Sequence, residues 1–176
     1  LIDLQTGKLW LPGPQAKNAR HGDIRALGHH EGLGFDSLRL ETAGRLPHLL
    51  VRCRYQGKLL TWVVDTGAEV TVMAAETVQR LGVPTTASRS KIIDASGDRA
   101  SVRTAVLRDV VFGQLVVSEF QVAVTPLETI RRTFRDRSGR PVDGIIGMDF
   151  LEESSALLDT ASRVLYVGDP PRSQLN

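Results

Sequence analysis

Among the residues whose type and setting could do chemistry, Asp65 stands out. It sits in WVVDTGAEVTVM, Trp62 to Met73, at the end of an apolar run and just ahead of a turn of small residues. Taking a lone carboxylate out of water costs several kcal/mol unless it is paired or hydrogen-bonded, so Asp65 is either half-solvated at a strand end or held there for a purpose. Thr66 adds a hydroxyl that can bond to backbone, and Gly67 permits a close approach and a backbone conformation that a side chain would hinder. Together they can build a tight loop whose N–H groups point at the carboxylate. The tripeptide taken alone leaves a plain structural turn and a working site both open.

Other reactive residue types are scattered. Cys53, the single cysteine, excludes an internal disulfide and a cysteine-based zinc site. In LLVRCRYQ it alternates with Leu49, Val51 and Tyr55 and reads as a small buried strand residue. His29, His30 and Glu31 lack the spacing of a helical metal motif, so no metal is expected. Asp143, before Gly144, reads as a loop-end carboxylate. Asp159-Thr160 is followed by Ala161 and reads as a turn. Arg131, Arg132, Arg135, Arg137 and Arg140, with the single acid Asp136 among them, read as a solvated loop. An acidic partner, a membrane surface or a processing site are the alternatives for that stretch.

The elements that must position Asp65 are mostly strands. LPHLLVRCRYQGKLLTWVVD gives two β-rich runs about Gln56-Gly57, a hairpin signal. AAETVQRLGVP predicts one short helix, with Val78 and Leu81 on one side, Gly82 as its C-cap and Pro84 beyond. RSKIIDASGDRASVRTAVL reads as strand, turn and strand, the turn spanning residues 94–98. VLRDVVFGQLVVSEFQVAVTP gives two more strands hinged near Gly113, and SRVLYVG a last one. Many short strands with one or two short helices predict an all-β, barrel-like domain. An apolar strand meeting a small-residue turn occurs at VVDTGA and again, in similar form, at DGIIGM.

The chain has 176 residues and 41% apolar content, enough for one domain with a proper core. We expect an irregular N-terminal arm over 1–40, the domain over 41–169 and a tail over 170–176. Lys and Arg total 22 against 20 for Asp and Glu, with the signs interspersed, which gives no general case for nucleic acid. No apolar run approaches the roughly 20 residues of a membrane span. The start at Leu1 leads us to expect that an upstream segment has been removed together with any targeting signal; a periplasmic or membrane-attached location fits such a segment, and the sequence itself assigns no compartment.

From about Leu46 to Gly168 the ordered set of elements resembles the retropepsin-like aspartic proteases, particularly their bacterial and cellular single-domain members. The matching parts are the hairpin with Gly57, VVDTGAEVTVM, the helix AAETVQRLGV, a flap-like hairpin KIIDASGDRA, the hairpin VVFGQLVV, and DGIIGMDFL ahead of a short helix. The resemblance implies a closed acid-protease β-barrel with one lobe per chain. It also implies an endopeptidase in which two aspartates share a proton and activate water against a peptide carbonyl, without a cofactor. One such loop in the chain implies a homodimer, with the second aspartate being Asp65 of another copy.

Residue by residue, Asp65 matches the catalytic aspartate and Thr66 the residue that braces the paired loops. Gly67 and Ala68 match cleft-lining backbone. Ile93, Ala95, Ser96 and Gly97 are the flap positions expected to close over an extended peptide. Ile145 and Ile146 are expected to pack the core. The retroviral members pair the acid after DTGA with an arginine following the second glycine; Glu69 fits the first position, whereas Met148 and then Asp149 follow Gly147, so that ion pair is not expected. Two alternatives stand beside the protease: a catalytically silent peptide-binding module of the same fold, and a protease kept latent by its arm or as a monomer.

Overall fold

The structure, a computed structural model, describes residues 2–3, 8–9, 35–44, 46–93 and 99–168. In chain order the elements are β1 (Ile2–Asp3), β2 (Lys8–Leu9), β3 (Phe35–Arg39), β4 (Glu41–Thr42), β5 (Leu49–Tyr55), β6 (Lys58–Val64), β7 (Val72–Ala74), α1 (Ala75–Leu81), β8 (Thr86–Ile93), β9 (Arg99–Phe112), β10 (Leu115–Thr125), α2 (Glu128–Ser138), β11 (Gly144–Ile146), α3 (Met148–Glu153), β12 (Leu157–Asp159) and β13 (Val164–Gly168). No helix among the described residues is long and apolar enough to cross a membrane.

The larger sheet runs β4-β5-β6-β11-β7-β10-β9-β8, and a further pairing of Arg54 with Val111 joins β5 to β9. That pairing closes β5, β6, β11, β7, β10 and β9 into a barrel, the expected all-β architecture. Gln56 and Gly57 both have positive φ, 49° and 75°, the conformation that a tight hairpin turn demands. The turn sets the β5–β6 register, with Val51 opposite Trp62 and Cys53 opposite Leu60, so that these four side chains face the barrel interior.

An aromatic cluster fills that interior. Phe120 meets Trp62, Phe112 and Phe150 edge-on, with ring centroids 5.4, 5.6 and 5.2 Å away. Met73, Leu107, Ile146 and Leu151 surround these rings with no exposed surface. Each such side chain contributes about 1.5–3 kcal/mol through burial. Cys53 is buried in this interior, as the strand alternation predicts, and the Trp62 indole N–H donates to its Sγ at 3.1 Å.

The outer face of the barrel beside Val63 has its own cover. The arginine-rich stretch expected to be a solvated loop is instead the helix α2, which ends at Gly139 with φ 75°. Phe134 is buried against Ala43, Leu50, Val63 and Val142, with Ile130 and Ile145 beside it. Ile130 and Phe134 lie four residues apart on one helix face, and burying them orders a segment whose composition is otherwise that of a solvated surface.

A smaller sheet runs β2-β1-β12-β13-β3. Phe35–Arg39, inside the segment expected as an irregular arm, pairs along the full length of β13, with Leu38 opposite Leu165. Leu38 and Leu40 are buried in the main core. Asp159 closes the β12–β13 turn, its Oδ1 accepting the N–H groups of Ala161 and Ser162 at 3.0 Å each, in keeping with the structural reading of Asp159-Thr160.

Candidate active site

Strand β6 delivers Asp65, and β11 determines where it stops. β11 runs parallel to β6, with Ile145 opposite Val63 and Ile146 opposite Val64, and antiparallel to β7, with Ile145 opposite Val72. It therefore lies between the two strands that flank the Asp65 loop. A short three-strand layer of this kind needs close backbone approach. A Cβ on Gly144 would run into the Trp62 ring and the Val72 carbonyl oxygen, and one on Gly147 would lie 2.6 Å from the Val70 carbonyl carbon. The recurrence of DGIIGM after VVDTGA thus has a geometric cause: the second segment inserts beside the first.

Within the loop, the Asp65 N–H donates to the Ile146 carbonyl at 3.0 Å, and the Ala68 N–H donates back to the Asp65 carbonyl at 3.2 Å. The Gly67 N–H donates to Asp65 Oδ1 at 2.9 Å. The small residues thus build a tight loop in which one backbone donor, the Gly67 N–H, is turned toward a half-buried carboxylate. Thr66 and Gly67 are exposed and Ala68 is half-buried. Among the described residues, neither the Thr66 hydroxyl nor the Glu69 carboxylate has a hydrogen-bond or ion-pair partner.

The other end of the loop is held by residues that sequence reasoning did not select. The N–H groups of Met148 and Asp149 donate to the carbonyls of Ala68 and Glu69 at 2.8 and 3.2 Å. The Asp149 carboxylate accepts the Thr71 N–H at 2.9 and 3.0 Å, together with the Thr71 hydroxyl. Met148, in the position of the missing arginine, packs against the core instead. Only the placement of an acid in the first turn of a short helix pointed to Asp149; its partner is remote in sequence.

Asp143 is buried and structural. Its Oδ2 accepts the Thr61 N–H at 2.9 Å, and its Oδ1 accepts the Thr77 hydroxyl at 2.9 Å and the Arg80 guanidinium at 2.7 Å. Arg131 approaches the same oxygen at 3.8 Å and donates to Thr77 Oγ1 and the Val142 carbonyl. This cluster ties α1 and α2 to the start of β11, and so to the strand beside Asp65. Burial pushes the nearby Cys53 thiol up to about 12; the Trp62 hydrogen bond offsets this in part and the Asp143 charge adds to it. A thiol held neutral in this way is not a nucleophile.

Of the expected flap residues, Ile93 ends β8 with its backbone opposite Arg99 of β9. Ala95, Ser96 and Gly97 lie outside the described residues, as do His29, His30 and Glu31. Among the described residues no group of three or more His, Cys, Asp or Glu side chains could hold a metal ion.

A family model described as Aspartyl protease matches residues 51–150, a span that runs from β5 through the Asp65 loop to Phe150. The chain belongs to the aspartyl protease family. This aspartyl protease family member has the fold of a retropepsin-like aspartic protease from Rickettsia conorii, which it matches with a TM-score of 0.52 and 18% identity over 77% of this chain and 91% of that one. It is also similar to Protein DDI1 homolog 1 of Homo sapiens, at 23% identity over 128 residues, or 73% of this chain. The chain spans only 30% of the length of that relative.

Proposed function

We propose that the chain is an aspartic endopeptidase that works as a homodimer, each copy supplying Asp65 to one shared site. The observation that carries this reading is the Asp65 loop: a half-buried carboxylate at a strand end, tethered by the Gly67 N–H at 2.9 Å, within the span matched by the family. A single carboxylate can take a proton from water but cannot at the same moment give one to the carbonyl oxygen. A second, opposite in charge state, completes the pair. The chain carries one DTG, and the face of its loop from Thr66 to Val70 is open except at half-buried Ala68. A second copy across a two-fold axis supplies the missing group.

In this mechanism one Asp65 removes a proton from the bound water as its oxygen attacks the peptide carbonyl carbon. The other Asp65 gives its proton to the carbonyl oxygen, forming a tetrahedral diol. Collapse of the diol breaks the C–N bond, with a proton passing to the departing amine. Thr66 of each copy would brace the paired loops through its free hydroxyl. Gly67 and Ala68 would line the cleft with backbone, and Ile93, Ala95, Ser96 and Gly97 would close over an extended peptide that pairs through its main chain.

The test is cleavage of a peptide library across a range of acidic to neutral pH by wild type and by Asp65→Ala, with dimer content recorded for each. The expected result is cleavage by the wild type that disappears in a variant still dimeric. No cleavage by a dimeric wild type would overturn the reading in favour of a peptide-binding module. A chain that is monomeric, and active only once shortened from its N-terminus, would identify a latent protease.

A further inference from the structure

We propose that Thr71 and Asp149 are positioning residues that fix the catalytic geometry of Asp65. This rests on the reading of Asp65 as the catalytic carboxylate. The structure links the two sites through an unbroken run of hydrogen bonds. The Asp65 N–H donates to the Ile146 carbonyl at 3.0 Å. The next residue, Gly147, donates its N–H to Thr71 Oγ1 at 3.1 Å. Thr71 in turn donates both its hydroxyl and its N–H to Asp149, whose Oδ1 also accepts the Phe150 N–H at 2.7 Å.

Thr71 is fully buried, and its hydroxyl is used in both senses, as acceptor from Gly147 and donor to Asp149. No apolar residue of the same shape can do this, and a lost partner in such a place leaves a buried polar group unsatisfied. The groups being held are those of the active-site loop itself: Asp65 at one end, Thr71 at the other, and between them the carbonyls of Ala68 and Glu69 on the Met148 and Asp149 N–H groups. Gly147 lies so close to the Val70 backbone that a Cβ there would come within 2.6 Å of the Val70 carbonyl carbon. In a shared site the loop occurs twice, so a displacement in each copy changes the separation of the two carboxylates. Alignment of this kind acts on the chemical step more than on peptide binding.

The experiment compares Thr71→Val, Thr71→Ser, Asp149→Ala and Asp149→Asn with wild type in the full chain. It measures kcat and KM per dimer, dimer content, thermal midpoint, and amide hydrogen exchange at Asp65 and Gly67 relative to Val122. Thr71→Val and Asp149→Ala are expected to lower kcat by about ten- to a hundredfold and to speed exchange at Asp65 and Gly67 but not at Val122. KM should stay within about twofold of wild type. Thr71→Ser, which keeps the hydroxyl, should restore both readouts. A lowered thermal midpoint with kcat per dimer and loop exchange unchanged would overturn the proposal and leave only a structural role. Faster loop exchange in the variants of a wild type that cleaves nothing would uphold the positioning role while removing the protease reading. If Asp149→Ala does not fold, the Thr71→Val and Thr71→Ser pair decides the matter alone.

Discussion

The Asp65 N–H and the Ile146 carbonyl oxygen stand 3.0 Å apart, in one of the bonds that join the two apolar, glycine-ended segments of the chain. It extends the parallel pairing of β6 with β11 by one step beyond Val64 and Ile146. The half-buried carboxylate is thereby carried by the residue that follows the last paired residue of β6, beside the exposed Thr66 and Gly67.

Gly147 makes that junction possible, and a methyl group there should undo it. A Cβ would lie 2.6 and 2.7 Å from the Val70 carbonyl carbon and oxygen and 2.8 Å from the Ala68 carbonyl oxygen, all backbone atoms that cannot swing aside. Gly147→Ala should destabilise the fold by about 1–3 kcal/mol, as overpacking does, and should lower peptide cleavage at temperatures where the protein is still folded. Urea unfolding and an activity assay on the same sample check both.

Asp143 anchors the opposite end of β11, and its partners differ in worth. Asp143→Ala would strip the Thr61 N–H, the Thr77 hydroxyl and the half-buried Arg131 of an acceptor or counter-charge, at a cost of about 3–5 kcal/mol. Arg80 is 49% exposed, so Arg80→Ala should cost no more than about 1 kcal/mol. A small loss for Asp143→Ala in denaturant titration would contradict the assignment of this cluster as the tie between α1, α2 and β11.

The contrast between α2 and the β5–β6 hairpin shows what was legible in the sequence. Gln56-Gly57 specifies its turn through local backbone preference, and the alternation on either side specifies which faces turn inward. Both signals are complete within a few residues, and the same holds for DTG and for the Gly82 end of α1. In α2 the apolar period consists only of Ile130 and Phe134 among arginines, and its meaning depends on Leu50, Val63 and Val142 lying opposite. Arg131 looks like another surface charge until Asp143 is brought beneath it. Thr71 and Asp149 were hidden for the same reason: each has an ordinary local role, and only the barrel brings them together.

Cys53 gives the fold an alkaline limit. Its thiol is raised from 9.0 to about 12 in the folded state, chiefly by burial. A folded-state value above the unfolded one means that the contribution is complete below pH 9.0 and is lost as pH rises toward about 12. Within that window stability should fall by about 1.4 kcal/mol per pH unit from this group. Denaturant midpoints taken from pH 8 upward measure the slope, and iodoacetamide should label Cys53 only as the protein unfolds. Rapid labelling of the native protein at pH 8 would show that the thiol is not shielded.

A shared site makes a prediction that no single-chain site makes. Asp65→Asn keeps the shape of the side chain and an oxygen for the Gly67 N–H, so the variant should fold and pair with wild type. Once subunits have exchanged in an equal mixture, half of the wild-type chains sit in mixed dimers that hold one carboxylate and cannot run the acid and base roles together. Activity should therefore fall, over the time of exchange, to about half of that seen immediately after mixing. If each chain carried a complete site, exchange would leave the activity where it began. Dilution gives the same discrimination by a second route, because activity per chain in a shared site drops below the dimer dissociation constant and recovers on reconcentration.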